Sequence, residues 1–495
     1  MGKSLLLSCK YPDRNLNPAL MNNTVTGPAD DYKLSRVVFL SVVAALGGFL
    51  FGFDSGVING TVHALQQAFD SDAVGTGFNV ASMLLGCAAG AFFAGNLADR
   101  FGRKYVLVSA AAAFMISAWG SGISDTSSTF VFFRVLGGLA VGAASILSPA
   151  YIGEISPARI RGRLISLQQL AIVLGLFFAF FSNYQLATHA GGASEVLWWG
   201  FETWRWMFWM ELIPASLFFI CLMFIPESPR YLVAAKKEAR AVEVLASLTN
   251  LETAKRQVEQ IRMTVFRERT PRLSDILTKG GRKVHPVVWV GIGLAALQQF
   301  TGINVVFYYG AVLWQAAGFT EADALLTNVI SGSVNIAFTF LAIYLVDRIG
   351  RKPLLMIGAL GQAVALGLLA IIFAVGAEDA AQGIQMGGRS GVMALLAANA
   401  YIAFFAFTWG PVMWVMLGEM FPNKFRGAAL AVAGLAQWLT NFLITITFPV
   451  LLASIGLGIS YGIYAAFGIL AFFFVRSYVS ETKGKTLEEI SMAQE

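Results

Sequence analysis

Charge is scarce in this 495-residue chain: Lys, Arg, Asp and Glu make up 13% of it, about half the share usual in soluble domains. Together with a 57% hydrophobic composition, that scarcity excludes a disordered chain and argues against an ordinary soluble enzyme. Cysteine is rarer still. Of Cys9, Cys87 and Cys221, the last two stand in apolar runs where a thiol is a small hydrophobe, so neither a disulfide scaffold nor a thiolate metal site is implied. His63, His189 and His285 fall in connections without metal-ligand spacing. The apolar runs hold no nucleophile–base or paired-carboxylate set, so no enzyme, catalytic residue, metal or cofactor is expected. Gly484-Lys-Thr486 resembles the end of a phosphate loop, but Val479 stands where that loop needs glycine, which leaves ATP drive without support. Residues 1–36 are polar, carry Pro12, Pro18 and Pro28, and lack the apolar core and cleavage site of a signal peptide. They read as a tail.

What the chain has is apolar length. It is 57% hydrophobic with 50 glycines and 40 phenylalanines, and its mean hydropathy is +0.66. A helix needs about 20 apolar residues to cross a bilayer core. Twelve such runs are present, at 37–60, 76–97, 105–124, 129–150, 164–187, 206–225, 287–312, 324–346, 354–377, 391–417, 428–453 and 457–475. An even number puts both termini on one side. With the connections assigned alternately, every basic residue except Arg134, Arg205 and Arg389 falls in the termini or the even-to-odd connections. The other connections carry Asp70, Asp72, Asp125, Glu195, Glu202, Glu321, Asp323, Glu378 and Asp379. The positive-inside rule therefore places both termini in the cytoplasm, and the net charge of +6 reports topology, not affinity for nucleic acid.

The charge-rich connection 227–285 contains two helix-forming stretches, beginning at Ala234 and Leu251. It divides the chain into a tail (1–36), a six-helix half (37–226), a cytoplasmic helical linker (227–285), a second half (286–479) and a C-terminal tail (480–495). An internal repeat supports the division. Asp99-Arg-Phe-Gly-Arg-Lys104 returns as Asp347-Arg-Ile-Gly-Arg-Lys352. Gly153-Glu-Ile-Ser-Pro-Ala-Arg-Ile-Arg-Gly162 returns as Gly418-Glu-Met-Phe-Pro-Asn-Lys-Phe-Arg-Gly427, and Pro226-Glu-Ser-Pro-Arg230 is echoed by Ser480-Glu-Thr-Lys-Gly484. Each motif follows the second, fourth or sixth span of its half, the mark of parallel repeats.

Together with Gln298-Gln-Phe-Thr-Gly-Ile-Asn304 in the seventh span, these motifs resemble the sugar porter family of the major facilitator superfamily over nearly the whole chain. Bacterial glucose and xylose proton symporters are the nearest likeness within it. Ser480 departs from the family's usual proline. The resemblance implies an all-α membrane protein of twelve helices in two pseudo-symmetric halves that carries a monosaccharide by alternating access.

Acids and bases clustered where spans emerge can pair across neighbouring helix ends when those ends approach. The expected members of this cytoplasmic gate are Asp99, Arg100, Arg103, Glu154, Arg161, Glu227 and Arg230, then Asp347, Arg348, Arg351, Glu419, Arg426 and Glu481. Such pairs would latch the outward-open state.

Within the spans the ionisable groups are Asp54, Arg134 and Glu211. Each costs about 3 kcal/mol or more at mid-membrane without a partner. Asp54 is flanked by Gly52 and Gly56, which permit close approach. An arginine nearby favours the carboxylate and a dry surrounding favours the acid, so a moving helix could make Asp54 take and release a proton. Glu211 either modulates the pair or packs. The resemblance points the same way: proton-coupled members carry Asp here and animal facilitators Asn, although some uncoupled members keep the Asp.

A sugar is a ring of hydroxyls that both donate and accept, and uncharged amides do the same. Gln168 and Gln169 lie in the fifth span, Gln298, Gln299 and Asn304 beside Gly302 in the seventh, and Gln437 and Asn441 on one helical face of the eleventh. By resemblance, Gln169, Gln298, Gln299, Asn304, Asn335, Trp414, Gln437, Trp438 and Asn441 match the family's sugar contacts. Leu176, where the xylose pattern has glutamine, favours a hexose. Gly86 with Gly90 and Gly138 with Gly142 read as helix packing, and Asn59-Gly-Thr61 fits a glycosylation triplet. The expected activity is proton-driven import of a monosaccharide, glucose foremost, by a monomer in the bacterial inner membrane. Its partners would be sugar, protons and lipid, with no nucleic acid. An uncoupled facilitator and a non-transporting sensor stay open.

Overall fold

The computed structural model describes residues 32–157, 159–267, 273–278, 283–381, 389–422 and 424–483. The first half consists of α1 (Leu34–Val57), α2 (Val62–Ala68), α3 (Ala73–Phe101), α4 (Arg103–Ile123), α5 (Ser127–Ile155), α6 (Arg161–Ala190), α7 (Thr203–Trp209) and α8 (Leu212–Phe224). Three short helices follow: α9 (Pro229–Ala234), α10 (Glu238–Leu248) and α11 (Leu251–Arg267). The second half consists of α12 (Pro286–Phe300), α13 (Ile303–Ala316), α14 (Glu321–Ile349), α15 (Arg351–Ala381), α16 (Arg389–Phe407), α17 (Trp409–Met420) and α18 (Arg426–Tyr478).

Eleven helical stretches among the described residues are long and apolar enough to cross a membrane. The last of them, α18, runs 53 residues, about 80 Å at 1.5 Å per residue and more than twice a bilayer core. Gly456, at φ 74 and ψ 178, breaks it between the two runs expected there, so it supplies two crossings and the total is twelve. The twelve-helix major facilitator fold is the result. The helices overrun the apolar runs by a few residues: the second span, expected at 76–97, continues as α3 from Ala73 to Phe101. Backbone bonding carries the helix past the hydrocarbon limit, so Asp99 and Arg100 are still helical.

Local chemistry sets the ends. Asp72 caps α3 by accepting from the Gly75 amide at 2.7 Å, Thr320 caps α14, and Ser228 caps α9 with Pro229 at its first position, each satisfying an otherwise orphaned amide. Two crossings are interrupted midway. Gly302, at φ 81, separates α12 from α13, and Thr408, at φ −128 and ψ −92, separates α16 from α17. Carbonyls released at these breaks must be satisfied inside the bundle. Tyr401 Oη donates to Thr301 O at 2.8 Å, and Gln298 Nε2 donates to Trp409 O at 2.8 Å.

Within the first half, glycines let pairs of helices nearly touch. A methyl group on Gly86 or Gly90 of α3 would strike the backbone of Val135 or Leu139, and one on Gly138 or Gly142 of α5 would strike that of Met83 or Cys87. The two spacings interlock, as close helix packing through small residues requires. Gly52 of α1 meets Ile172 and Gly175 of α6 meets Phe49 in the same way. The short helices α9 to α11 close over Leu232, Val233, Ala241, Leu245, Ala254 and Val258. They attach to the first half where the Lys33 amide donates to Leu248 O at 2.8 Å and Gln257 Nε2 meets the Tyr32 hydroxyl at 2.5 Å.

Candidate functional site

One face of the bundle, the terminal face, carries Tyr32 and Lys483, the first and last described residues. At mid-bundle Asp54 of α1 and Arg134 of α5 form an ion pair between Asp54 Oδ1 and Arg134 Nη1, each residue 1% exposed. Arg134 Nη2 also donates to the Asp54 carbonyl at 3.2 Å and meets Met83 Sδ at 3.0 Å. Its guanidinium lies over the Phe208 ring, 5.5 Å from the centroid. Gly137, one helical turn from Arg134, leaves room for the carboxylate: a methyl there would stand 3.2 Å from Asp54 Oδ2. Oδ2 itself and Arg134 Nε have no protein partner. Glu211, at the junction of α7 and α8, is also 1% exposed, and its electrostatic partners are Asp54 and Arg134. All three ionisable groups expected in the spans therefore stand together. A crevice too small for water runs from Arg134 and Met83 past Ser55 to Tyr308 of the second half.

Beyond Tyr308 lies a chain of amides. Asn441 Nδ2 reaches the Tyr308 hydroxyl at 3.5 Å. Asn304 Nδ2 donates to Gln299 Oε1 at 2.5 Å, Gln299 Nε2 to Gln298 Oε1 at 3.1 Å, and Gln437 Nε2 to the same Gln298 oxygen at 3.3 Å. Both acceptor positions of Gln298 are thereby occupied, and with its bond to Trp409 it braces the two helix breaks. Gln437 Oε1 and both amide atoms of Gln168 are buried without a protein partner. Such an atom costs about 1–3 kcal/mol when left unbonded. Gln168, not Gln169, is the buried member of that pair, seated against Gly48 of α1, while Gln169 is half-buried. Asn335 is buried, and Trp438 packs against Phe51 with centroids 5.6 Å apart, whereas Trp414 is 37% exposed.

The terminal-face motifs build two copies of one arrangement. In the first half Arg103 Nη2 pairs with Glu154 at 3.3 Å and with Asp99 at 3.1 Å. Glu227 Oε1 accepts the amides of Arg103 and Lys104 at 2.9 and 3.1 Å, and the Ser228 hydroxyl donates to Glu154. In the second half Arg351 binds Glu419 through Nε and Nη2 at 3.0 and 2.9 Å. Glu481 accepts the amides of Arg351 and Lys352 at 3.1 and 3.0 Å, and the Thr482 hydroxyl donates to Glu419 at 2.6 Å. Burial raises the Glu481 carboxyl, but four backbone donors outweigh it and hold the group below its usual range. Arg100 lies over Phe101, Arg348 lies over Tyr344, and Arg161 and Arg426 reach the carbonyls of Ser156 and Phe421. Arg230 lies near enough to Glu154 to stabilise its charge. The side chain of Asp347 lies outside the described residues. Each of these ion pairs joins neighbouring helix ends within one half.

The opposite face is tied differently. Asn59, at the end of the first crossing, donates to Phe307 O at 2.7 Å and accepts from the Ala311 amide at 3.0 Å and from Asn328 Nδ2 at 2.8 Å. These bonds run from the first half to the second, as does that from the Ala193 amide to Glu321 Oε1 at 2.8 Å. Asn59 is 1% exposed, which corrects the glycosylation reading: a buried amide with both ends bonded is no glycan acceptor. Asn328 carried no motif, and the one signal at Asn59 was a triplet that pointed outward.

The profile of the family described as "Sugar (and other) transporter" matches residues 40–493. This chain belongs to that sugar transporter family. It is 51% identical to the glucose transport protein of Synechocystis sp. (strain PCC 6803), over 95% of this chain and 100% of that one. It is 40% identical to the D-xylose-proton symporter of Escherichia coli K12, over 93% and 96%. Among solved structures it is similar to the partially occluded inward-open xylose transporter of E. coli, with TM-score 0.79 and 38% identity, covering 91% of this chain and all of that one. The same transporter bound to 6-bromo-6-deoxy-D-glucose gives a TM-score of 0.75 at 39% identity, covering 94% and 100%. The sugar transporter family thus accounts for the fold, the repeat and the membrane spans, and these relatives are transporters, not enzymes.

Proposed function

We propose that this sugar transporter imports a hexose, glucose foremost, by proton symport across a bacterial plasma membrane, as a monomer with both termini in the cytoplasm. The observation that carries the reading is the buried Asp54–Arg134 pair with Glu211 beside it. A charge pair in a membrane interior costs more than an apolar substitute, and a switchable proton site offsets that cost with function. The symporter named among the relatives supports the same reading. The mainly basic terminal face supports the orientation.

In this cycle a proton from outside neutralises Asp54 and loosens its hold on Arg134. Sugar hydroxyls meet Gln168 and Gln437, with Gln169, Gln299, Asn304, Asn335 and Asn441 around them and Trp438 and Trp414 offering flat faces to the ring's C–H side. Tyr308, between Arg134 and Asn441, links the two events. The halves then close over Asn59 and part at the terminal face. Within each half the Arg103 and Arg351 clusters keep the helix ends rigid, so those ends meet and part as units to gate that face.

Asp54→Asn tests the proposal. It should abolish accumulation of sugar against a gradient in proteoliposomes while leaving sugar exchange intact. Full concentrative uptake by the variant would refute the coupling role.

A further inference from the structure

We propose that the hairpin 196–202 is a membrane anchor that seats its tryptophans in the lipid headgroup zone on the face opposite the termini. Val196 and Glu202 form an antiparallel bridge, the Leu197 amide donates to Phe201 O at 2.9 Å, and the Phe201 amide to Trp198 O at 3.1 Å. The two-residue loop this closes is Trp199-Gly200, with φ of 56 and 81. A turn with both central φ values positive favours Asn or Gly at its first position. Tryptophan there is strained, and Trp199 is nevertheless 86% exposed. A strained, exposed indole in water would be a liability on both counts.

Its surroundings identify what covers it. Trp199 and Trp198 each pack on Trp206 with centroids 5.3 and 5.2 Å apart, and Trp206 and Phe201 pack on Trp209 at 4.9 and 5.1 Å. Trp206 and Trp209 begin the crossing Thr203–Phe224. From there Ile213, Leu217, Ile220 and Phe224, all exposed, continue at helical spacing down one side, the lipid face of that crossing. The hairpin is therefore continuous with a surface that lipid already covers. It cannot lie deeper, because a lipid-exposed irregular loop does not occur within hydrocarbon, whereas the headgroup zone favours an aromatic body with a polar tip. Two of the indoles spend their N–H groups on the protein, Trp206 on Trp198 O at 3.3 Å and Trp209 on Trp119 O at 3.1 Å. Arg205 is engaged by Asp125 and Glu202 at 2.9 and 2.6 Å. The anchoring aromatics themselves carry no charge, so seating should not depend on anionic lipid.

The test uses the full chain with Cys9, Cys87 and Cys221 changed to Ser, and a single nitroxide at Trp199→Cys, read by electron paramagnetic resonance in phosphatidylcholine vesicles with and without phosphatidylglycerol. Gln66→Cys, exposed on the same face, is the aqueous reference, and Ile220→Cys, on the lipid stripe, is the hydrocarbon reference. Position 199 should show oxygen and nickel-chelate accessibility between the two references, unchanged by phosphatidylglycerol. Accessibility equal to that at position 66 would overturn the proposal. Trp199→Asn suits the turn and provides the second readout: brominated-lipid quenching of the remaining intrinsic fluorescence should fall, and an unchanged fraction would also contradict it.

Discussion

The two faces of this transporter are held by opposite chemistry. At the terminal face, ion pairs and charge-assisted bonds join helix ends that belong to the same half, once around Arg103 and again around Arg351. At the other face an uncharged asparagine, Asn59, joins one half to the other through three bonds, with one bond from the Ala193 amide to the Glu321 carboxylate beside them. Charge-assisted bonds contribute about 1.5–3 kcal/mol each and neutral ones about 1. In the proposed cycle the charge clusters maintain the shape of each half, and mainly neutral contacts sit where the halves form and break contact. A contact that has to open repeatedly cannot be strong, and six-helix units that move as wholes cannot be soft.

Removing Arg103 or Arg351 probes that contrast with the largest expected effect. Arg351→Ala should lose about 3 kcal/mol, two charge-assisted bonds to Glu419, read as a lower melting temperature. The distance between spin labels at Gln66 and Ala322, one on each half at the far face, should stay the same. A longer distance would mean that the cluster acts between halves. Asn59→Ala reverses the pattern. It should cost the closed far face about 2–3 kcal/mol, near a hundredfold in the equilibrium, lengthening that same distance with little change in melting temperature. An unaltered distance would remove Asn59 from the gate.

The smallest effect belongs to Glu481. Its carboxyl is held below the ordinary value of 4.5. The folded state therefore favours the charged form, and the stability this provides is fully present above that ordinary value and lost as pH falls through the depressed one. Glu481→Gln should be slightly less stable than the parent at neutral pH, with the gap closing in acid. A gap that widened in acid would contradict the assignment.

Much of this was legible in the chain. Apolar runs and the doubled Asp-Arg-x-Gly-Arg-Lys motif follow from local composition, the runs because a bilayer demands continuous apolar length; the break at Thr408 carries no such signal. Asp54 and Arg134 stood out because charge in a span is rare. The partners of Asn59 did not stand out: Phe307 and Asn328 lie in another half of the chain, and only tertiary structure brings them near. Gln168 and Gln169 could not be ranked by type, since neighbouring residues on a helix point about 100° apart and the packing of α6 against α1 decides which is buried. The confinement of each ion cluster to one half was hidden for the same reason, as the two copies read identically whether they pair within or between halves.

In the proposed cycle sugar entry and proton entry are one event. It is tested most directly by adding glucose to deenergised proteoliposomes containing the parent protein or Asp54→Asn and recording external pH in lightly buffered medium. Alkalinisation with glucose is expected for the parent and none for the variant. Glucose uptake by the parent with no pH change would contradict it.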